Sequence, residues 1–174
     1  MTRRATDVVV RRASVRDLDA VVAMRVALIA ASRKNPAYRR LRGDYEATGR
    51  QLFEAQLTDA RGLTLIAESD GKPVGLLRCT ISGANPLYEP ARHAYVVSVY
   101  VLPSHRRRGV LKQLLGAADR WCVEQGIQEM RLHVGFDNEA GNAAWQALGF
   151  EPAEMLRVRS IPAFSDQPSE AEDA

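Results

Sequence analysis

The chain has 174 residues, of which 46% are apolar and 26% are charged, a balance typical of one compact globular domain. No apolar run approaches the ~20 residues that a membrane-spanning helix needs, so a membrane partner is not expected. The two cysteines, Cys79 and Cys122, have no neighbouring Cys/His cluster, which argues against a disulfide scaffold and against a metal site. We therefore expect a cytoplasmic protein that holds no metal ion.

The charges are unevenly distributed along the chain. The formal net charge is +3, but residues 164–174 carry four carboxylates and no cation, which leaves the remainder at +7. We expect an acidic, disordered tail over 164–174 and one folded domain over 1–163. A basic body attracts polyanions such as nucleic acid, an acidic protein or a phosphorylated cofactor, and composition alone does not choose among them.

Hydrophobic periodicity and turn residues predict an α/β domain with a mixed sheet and helices on both faces. Ser14 is predicted to cap the first helix, and Asp70 with Gly71 is predicted to form a hairpin turn. The run at 94–101 is apolar almost throughout, as expected of a strand covered on both faces. The predicted elements, in chain order, are a strand at 8–12, helices at 15–31 and 45–58, strands at 63–68, 74–82 and 94–101, a helix from 109 to 126, a strand at 128–134, a helix at 138–148 and a strand at 150–161.

The most informative segment follows the strand that is predicted to end at Val101. Three arginines and a lysine crowd the start of a helix that opens at Gly109. Cations at a helix N-terminus are unfavourable by roughly 0.3–1 kcal/mol each, whereas its unpaired N–H groups attract anions. A pyrophosphate would turn this cost into attraction; the alternative is a solvated basic loop. Neither of the common glycine-rich phosphate motifs is present, and the basic residues do not alternate with aromatic ones, so we do not expect nucleic acid as a partner.

Two motifs together resemble those of the GNAT superfamily of acyl-CoA-dependent N-acetyltransferases. Val101, Pro103, Arg106, Arg107 and Gly109, followed by an amphipathic helix, resemble its acyl-CoA signature, and residues 138–150 resemble its second motif. The resemblance implies a sheet splayed between the fourth and fifth strands. It also implies transfer of an acetyl group from acetyl-CoA to a primary amine of a small molecule by direct attack. A peptide or protein N-acetyltransferase and a non-catalytic acyl-CoA-binding module are the alternatives, and a homodimer is one expectation because the family often forms dimers.

The resemblance further assigns roles to residues of this chain. Backbone groups of Val99 and Val101 would bind the acetyl carbonyl and the pantetheine amides, amides of residues 106–112 would hold the pyrophosphate, and Asn138 would reach the pantetheine chain. Trp145 would pack against that chain or belong to the core. The implied acetyl-CoA-binding residues are Val99, Tyr100, Val101, Arg106, Arg107, Arg108, Gly109, Val110, Leu111, Lys112, Asn138 and Trp145.

Three departures from the family pattern affect the expected chemistry. Leu111 stands where the family usually has a small residue, Trp145 stands where a tyrosine acid is common, and neither Val97 nor Ser98 is the carboxylate that often acts as base. An indole N–H donates a hydrogen bond but is not a useful acid. Ser98 and His133 are therefore the candidate catalytic residues, although Ser98 could simply pack in its strand and His133 could be a hydrogen-bonded residue of the sheet face. The further candidates for proton transfer are Tyr100, and His93 with Tyr88 and Glu89.

The acceptor site is specified only by two conflicting hints. Arg39, Arg40 and Arg42 could bind a carboxylate or phosphate on the acceptor, or they could form a solvated turn. Tyr88, Glu89 and His93 could instead bind an amine. The sequence leaves this choice open.

Overall fold

A computed structural model describes residues 8–83, 86–87 and 89–161. These residues form a five-stranded sheet with the strand order β1-β2-β3-β4-β5, in which β5 is parallel to β4 and the other neighbours are antiparallel. The elements are β1 (Val8–Arg12), α1 (Leu18–Ser32), α2 (Tyr45–Leu57), β2 (Gly62–Ser69), β3 (Lys72–Gly83), β4 (Arg92–Val101), α3 (Val110–Glu124), β5 (Met130–Leu132) and α4 (Glu139–Ala147). The predicted α/β mixed sheet is confirmed.

The sheet separates two apolar layers. Alternation along β2 and β3 directs Leu65 and Leu77 to a core shared with α3, and Ile66 and Leu76 to a core shared with α1 and α2. At Gly75 of β3, a side chain would begin 3.0 Å from a methyl carbon of Val110 and 3.2 Å from one of Leu114. The absence of a side chain at this position lets the first turn of α3 lie directly against the sheet.

The entry into α1 is fixed by a charged capping arrangement. Residues 15–17 form a 3₁₀ turn, and the carboxylate of Asp17 accepts hydrogen bonds from the backbone N–H of Ser14 at 2.7 Å and from its hydroxyl at 3.1 Å. The Arg11 guanidinium donates to both carboxylate oxygens of Asp17, at 2.7 and 2.9 Å. This hydrogen bonding lowers the pKa of the buried Asp17 to about 2.

Two predicted turns have the backbone conformations that their residues favour. Asp70 and Gly71 between β2 and β3 both have positive φ, 52° and 71°, as a two-residue hairpin turn requires. Gly126 follows α3 with φ of 65°, which is the left-handed conformation common after a helix C-terminus. Both assignments are therefore confirmed.

The C-terminal strand predicted at 150–161 is wrong. Residues 150–161 have no regular secondary structure, and β5 is limited to three residues where 128–134 was predicted. A strand exists only where a neighbour supplies a hydrogen-bonding edge, and alternating side chains cannot supply one. Met155, Leu156, Val158 and Ile161 are consequently exposed. The tail predicted to be disordered, 164–174, lies outside the described residues.

Candidate functional site

The strands β4 and β5 diverge, as predicted. Their parallel pairing consists of Ala94 with Met130, Tyr95 with Arg131, and Val96 with Leu132. Among the described residues, β4 has no strand partner on this side from Val97 onwards. The carboxyl half of β4 therefore borders a gap in the sheet.

A bulge in β4 decides which backbone groups face this gap. Cys79 pairs with Val96 and Arg78 pairs with Ser98, so Val97 has no partner on β3. Beyond the bulge, the N–H of Leu102, just after β4, donates to the carbonyl of Val74 in β3 at 2.9 Å. Because backbone groups alternate in direction along a strand, the N–H and C=O groups of Val99 and Val101 point into the gap.

The bulge also sorts the side chains of β4. Val99 and Val101 pack against the core under α3, whereas Tyr100 packs against the core under α1 and α2. Ser98, two residues before Tyr100 in β4, is only 6% exposed and lies opposite the buried Arg78. The gap therefore combines polar backbone edges with an apolar wall.

The turn after β4 presents a helix start to solvent. A 3₁₀ turn covers Pro103–His105, Arg107 and Gly109 have positive φ of 58° and 80°, and α3 begins at Val110. The first-turn N–H groups of an α-helix have no acceptor inside the helix, which here applies to Val110, Leu111 and Lys112. A Cβ built on Gly109 would meet no atom within 4 Å, so the space above this turn is open.

The basic side chains of this turn are not equivalent. Arg107, Arg108 and Lys112 are exposed, and none of them forms an ion pair with another described residue. The Nε of Arg106, in contrast, donates to the carbonyl of Val101 at 3.0 Å, and its guanidinium lies 5.8 Å from the centre of the Tyr100 ring. Arg106 thus braces the turn against β4, while the other three cations are free to meet an anion.

Two residues of the second predicted motif have structural partners. The Oδ1 of Asn138 accepts a hydrogen bond from the N–H of Gly141 at 3.0 Å and caps α4. Trp145 packs edge to face on Phe150, with ring centres 5.1 Å apart, and Phe150 lies against the core under α3. Contact of Asn138 and Trp145 with a pantetheine chain stays a prediction.

A tyrosine that the sequence analysis missed contacts one predicted catalytic residue. The hydroxyl of Tyr95 on β4 hydrogen-bonds to Nδ1 of His133, the residue that follows β5, and the two rings are edge to face with centres 5.6 Å apart. Burial raises the pKa of Tyr95, and the nearby Tyr38 raises it further. Tyr95 and His133 therefore form a polar pair where the two strands begin to diverge. Two tyrosines in the largely apolar run at 94–101, Tyr95 and Tyr100, were the available signal.

His93, one of the residues predicted to bind an amine, lies at the start of β4 rather than in the loop before it. This side chain is 7% exposed, and burial lowers its pKa, which favours the neutral ring. Its Nδ1 has no hydrogen-bond partner among the described residues. Glu89 is exposed, and Tyr88 lies outside the described residues.

The predicted basic segment between α1 and α2 borders a cavity of about 360 Å³, which we call the arginine cleft. Its lining residues are Pro36, Ala37, Arg39, Arg40, Val158, Arg159 and Ser160. Arg42 does not line it, because its guanidinium is paired with Asp44 at 2.8 and 3.0 Å. The cleft joins two segments about 120 residues apart in sequence, which the linear pattern did not indicate.

Comparison with known proteins identifies the family. The model of the acetyltransferase (GNAT) family matches residues 27–150, most of the chain and both motifs. The chain belongs to this GNAT family. A relative from Salmonella typhimurium, named aminoglycoside N(6′)-acetyltransferase type 1, is 34% identical over 104 residues, which cover 53% of this chain and 65% of that protein. The matched part thus spans a little under two thirds of the relative.

Solved structures agree with this GNAT assignment at the level of fold. The aminoglycoside 6′-N-acetyltransferase AAC(6′)-Ih from Acinetobacter baumannii has a TM-score of 0.72 at 22% identity, covering 89% of this chain and 98% of that one. The aminoglycoside N-acetyltransferase AAC(6′)-Iy in complex with CoA has a TM-score of 0.72 at 23% identity, covering 93% and 99%. Among the described residues, no helix is long and apolar enough to span a membrane, and no group of three or more His, Cys, Asp or Glu side chains is placed to hold a metal ion.

Proposed function

We propose that this protein is an N-acetyltransferase that moves an acetyl group from acetyl-CoA to a primary amine of a small molecule. The observation that carries the proposal is the gap between β4 and β5, edged by the backbone groups of Val99 and Val101 and leading to the exposed start of α3. A thioester arm in this gap would find hydrogen-bonding groups along one side. The family assignment of residues 27–150 supports the same activity.

The residues present fit the donor acetyl-CoA. The open space above Gly109, the first-turn amides of α3 and the unpaired Arg107, Arg108 and Lys112 suit a pyrophosphate. Acetyl-CoA supplies an acetyl thioester, whose carbonyl becomes more reactive when a backbone N–H donates to its oxygen. The N–H of Val99 is our candidate for that donor. The side chain of Leu111 is half-buried, and its backbone N–H remains one of the first-turn groups that can bind the pyrophosphate.

We assign proton removal from the amine to His133, with Tyr95 as its positioning residue. A neutral imidazole carries a lone pair that can accept a proton, and the exposed ring of His133 is reachable by an acceptor. In the tautomer in which the Nδ1–H of His133 donates to the hydroxyl oxygen of Tyr95, the ring orientation is fixed and Nε2 keeps the lone pair that accepts the proton. Ser98 is a weaker candidate because its side chain is enclosed within the sheet.

The donor site is tested by calorimetric titration with acetyl-CoA and with acetyl-pantetheine, which lacks the pyrophosphate. We expect Arg108→Glu/Lys112→Glu to weaken acetyl-CoA binding by roughly a hundredfold or more, since two charge-assisted contacts are reversed, and to leave the weak binding of acetyl-pantetheine unchanged. Arg120→Glu is the matched control, because Arg120 is exposed on the same helix about 15 Å from its start. Wild-type protein that is folded but does not bind acetyl-CoA would refute the proposal.

The acceptor is sought by following thiol release from acetyl-CoA in the presence of amines. Aminoglycosides belong among the first amines to be tested, because the names of the relatives give them as acceptors. Binding of acetyl-CoA with no release for any amine would identify the alternative, a non-catalytic module, and activity restricted to peptides would identify a peptide N-acetyltransferase.

A cytoplasmic location stays a prediction. Homodimer formation also stays a prediction, which light scattering tests by measuring the molar mass in solution.

A further inference from the structure

The three arginines of the arginine cleft have no carboxylate partner in the part of the chain that the structure describes. Among the described residues, Arg39, Arg40 and Arg159 form no ion pair, and Nη2 of Arg39 reaches only the hydroxyl of Ser160 at 3.4 Å. Arg42, nearby in sequence, is instead neutralised by Asp44 through two hydrogen bonds. Three unpaired guanidinium groups therefore border one cavity.

Three like charges around one cavity repel one another unless an anion binds between them. A guanidinium presents parallel N–H groups that match the oxygens of a carboxylate or a phosphate, and such contacts are among the stronger hydrogen bonds in proteins. The lining residues of the cleft include no acidic side chain. The same charges would repel a ligand that carries several ammonium groups.

The segment that follows α1 supplies four residues of the cleft and also approaches the proposed reaction centre. Tyr38, which lies between the lining residues Ala37 and Arg39, is close enough to Tyr95 to raise its pKa, and Tyr95 in turn contacts His133. The amide nitrogen of Asn35 would lie 3.5 Å from a Cβ on Gly135, just beyond His133. The connection after α1 therefore runs from the cleft to the polar pair.

We propose that the acceptor is a primary amine that also carries a carboxylate or phosphate group, which the arginine cleft binds. This inference rests on the proposed acetyltransferase function and names the substrate class of the same site. It departs from the polycationic amino sugars that the names of the relatives suggest. The cleft selects the acceptor, while the start of α3 selects the donor.

Matched acceptor pairs test the selectivity in the full-length protein. We expect kcat/KM for glucosamine 6-phosphate to exceed that for glucosamine at least tenfold, since the pair differs only in the anionic group that contacts arginine. Phenylalanine against phenylalaninamide tests a carboxylate in the same way and separates the two anions. Neamine, a polycation, is expected to be the poorest acceptor. Equal kcat/KM within both pairs, or a preference for neamine, would overturn the inference.

Charge removal in the cleft identifies the residues responsible. Arg40→Gln/Arg159→Gln is expected to raise KM for the preferred anionic acceptor at least tenfold and to leave KM for acetyl-CoA within about twofold. Arg42→Gln is the control, because it removes one arginine charge outside the cleft where the double variant removes two within it, and it should behave like the wild type. An unchanged acceptor KM in the double variant would overturn the inference.

The acidic residues of 164–174 are the alternative partners of the cleft arginines within the chain itself, in place of an anionic acceptor. The full-length variant Asp166→Asn/Glu170→Gln/Glu172→Gln/Asp173→Asn neutralises them. We expect this variant to keep the wild-type preference for the anionic member of each pair. A preference that appears only in this variant would assign the arginines to the tail instead, and would overturn the inference.

Binding measurements separate this inference from the proposed function. Titration of CoA-saturated protein with glucosamine 6-phosphate, in the wild type and in Arg40→Gln/Arg159→Gln, needs no turnover. Binding that depends on the cleft supports the inference even if no amine in the panel is acetylated, and absence of binding overturns it. Acetylation of neutral amines without any preference for anions would remove this inference and leave the acetyltransferase function in place.

Discussion

Replacing Gly109 by alanine isolates the role of the open space at the start of α3. Gly109 has φ of 80°, where a residue with a Cβ costs roughly 1–2 kcal/mol. Alanine also reduces the conformational entropy of the unfolded chain, which offsets about 0.4–1 kcal/mol of this cost. No atom lies within 4 Å of the added methyl, so no clash contributes in the unliganded protein. We expect the free energy of unfolding to fall by about 1 kcal/mol and Tm to fall by about 2–4 °C.

The effect on acetyl-CoA binding should be larger than this loss of stability implies. The methyl would occupy the space where a phosphate approaches the amides, and loss of one charge-assisted hydrogen bond corresponds to roughly a ten- to hundredfold loss of affinity. Gly126→Ala is the matched control, because Gly126 has φ of 65° and equally open surroundings at the other end of α3. Urea unfolding and calorimetry measure the two quantities. If both variants lose the same stability and Gly109→Ala still binds acetyl-CoA with wild-type affinity, our placement of the pyrophosphate is refuted.

Three further predictions follow from particular contacts. Asp17→Asn should lower the free energy of unfolding by about 2 kcal/mol at pH 7, because the pKa of Asp17 in the folded protein lies below the ordinary 3.8. This advantage of the wild type should disappear as the pH falls from about 4 to about 2. If urea unfolds the wild type and the variant equally at pH 7, the prediction is contradicted. Tyr95→Phe should lower kcat about tenfold and shift the pH–rate profile without changing acetyl-CoA affinity, and an unchanged profile would remove Tyr95 as positioning residue of His133. Gly75→Ala should destabilise the fold by about 1–3 kcal/mol and weaken acetyl-CoA binding, since its methyl would displace the start of α3; wild-type values in thermal unfolding and calorimetry would refute this.

Much of the fold was predictable because its signals are local. The hairpin at Asp70 and Gly71 and the end of α3 at Gly126 depend on backbone conformations that these residue types favour. The strand predicted at 150–161 failed for the opposite reason, since its residues pair with no neighbouring strand edge among the described residues. Apolar residues in a segment are thus not sufficient to form a strand.

The sequence by itself determined the basic turn after Val101, the helix that opens at Gly109 and the order of the elements as far as α4, because these depend on residues within a few positions of one another. Only the tertiary structure decided which chemical groups meet. The unpaired Val97 directs Val99 and Val101 into the gap, and parallel pairing brings Tyr95 against His133, 38 positions away. The arginine cleft likewise joins segments about 120 positions apart. Such contacts depend on strand register and packing over the whole domain, which no local pattern encodes.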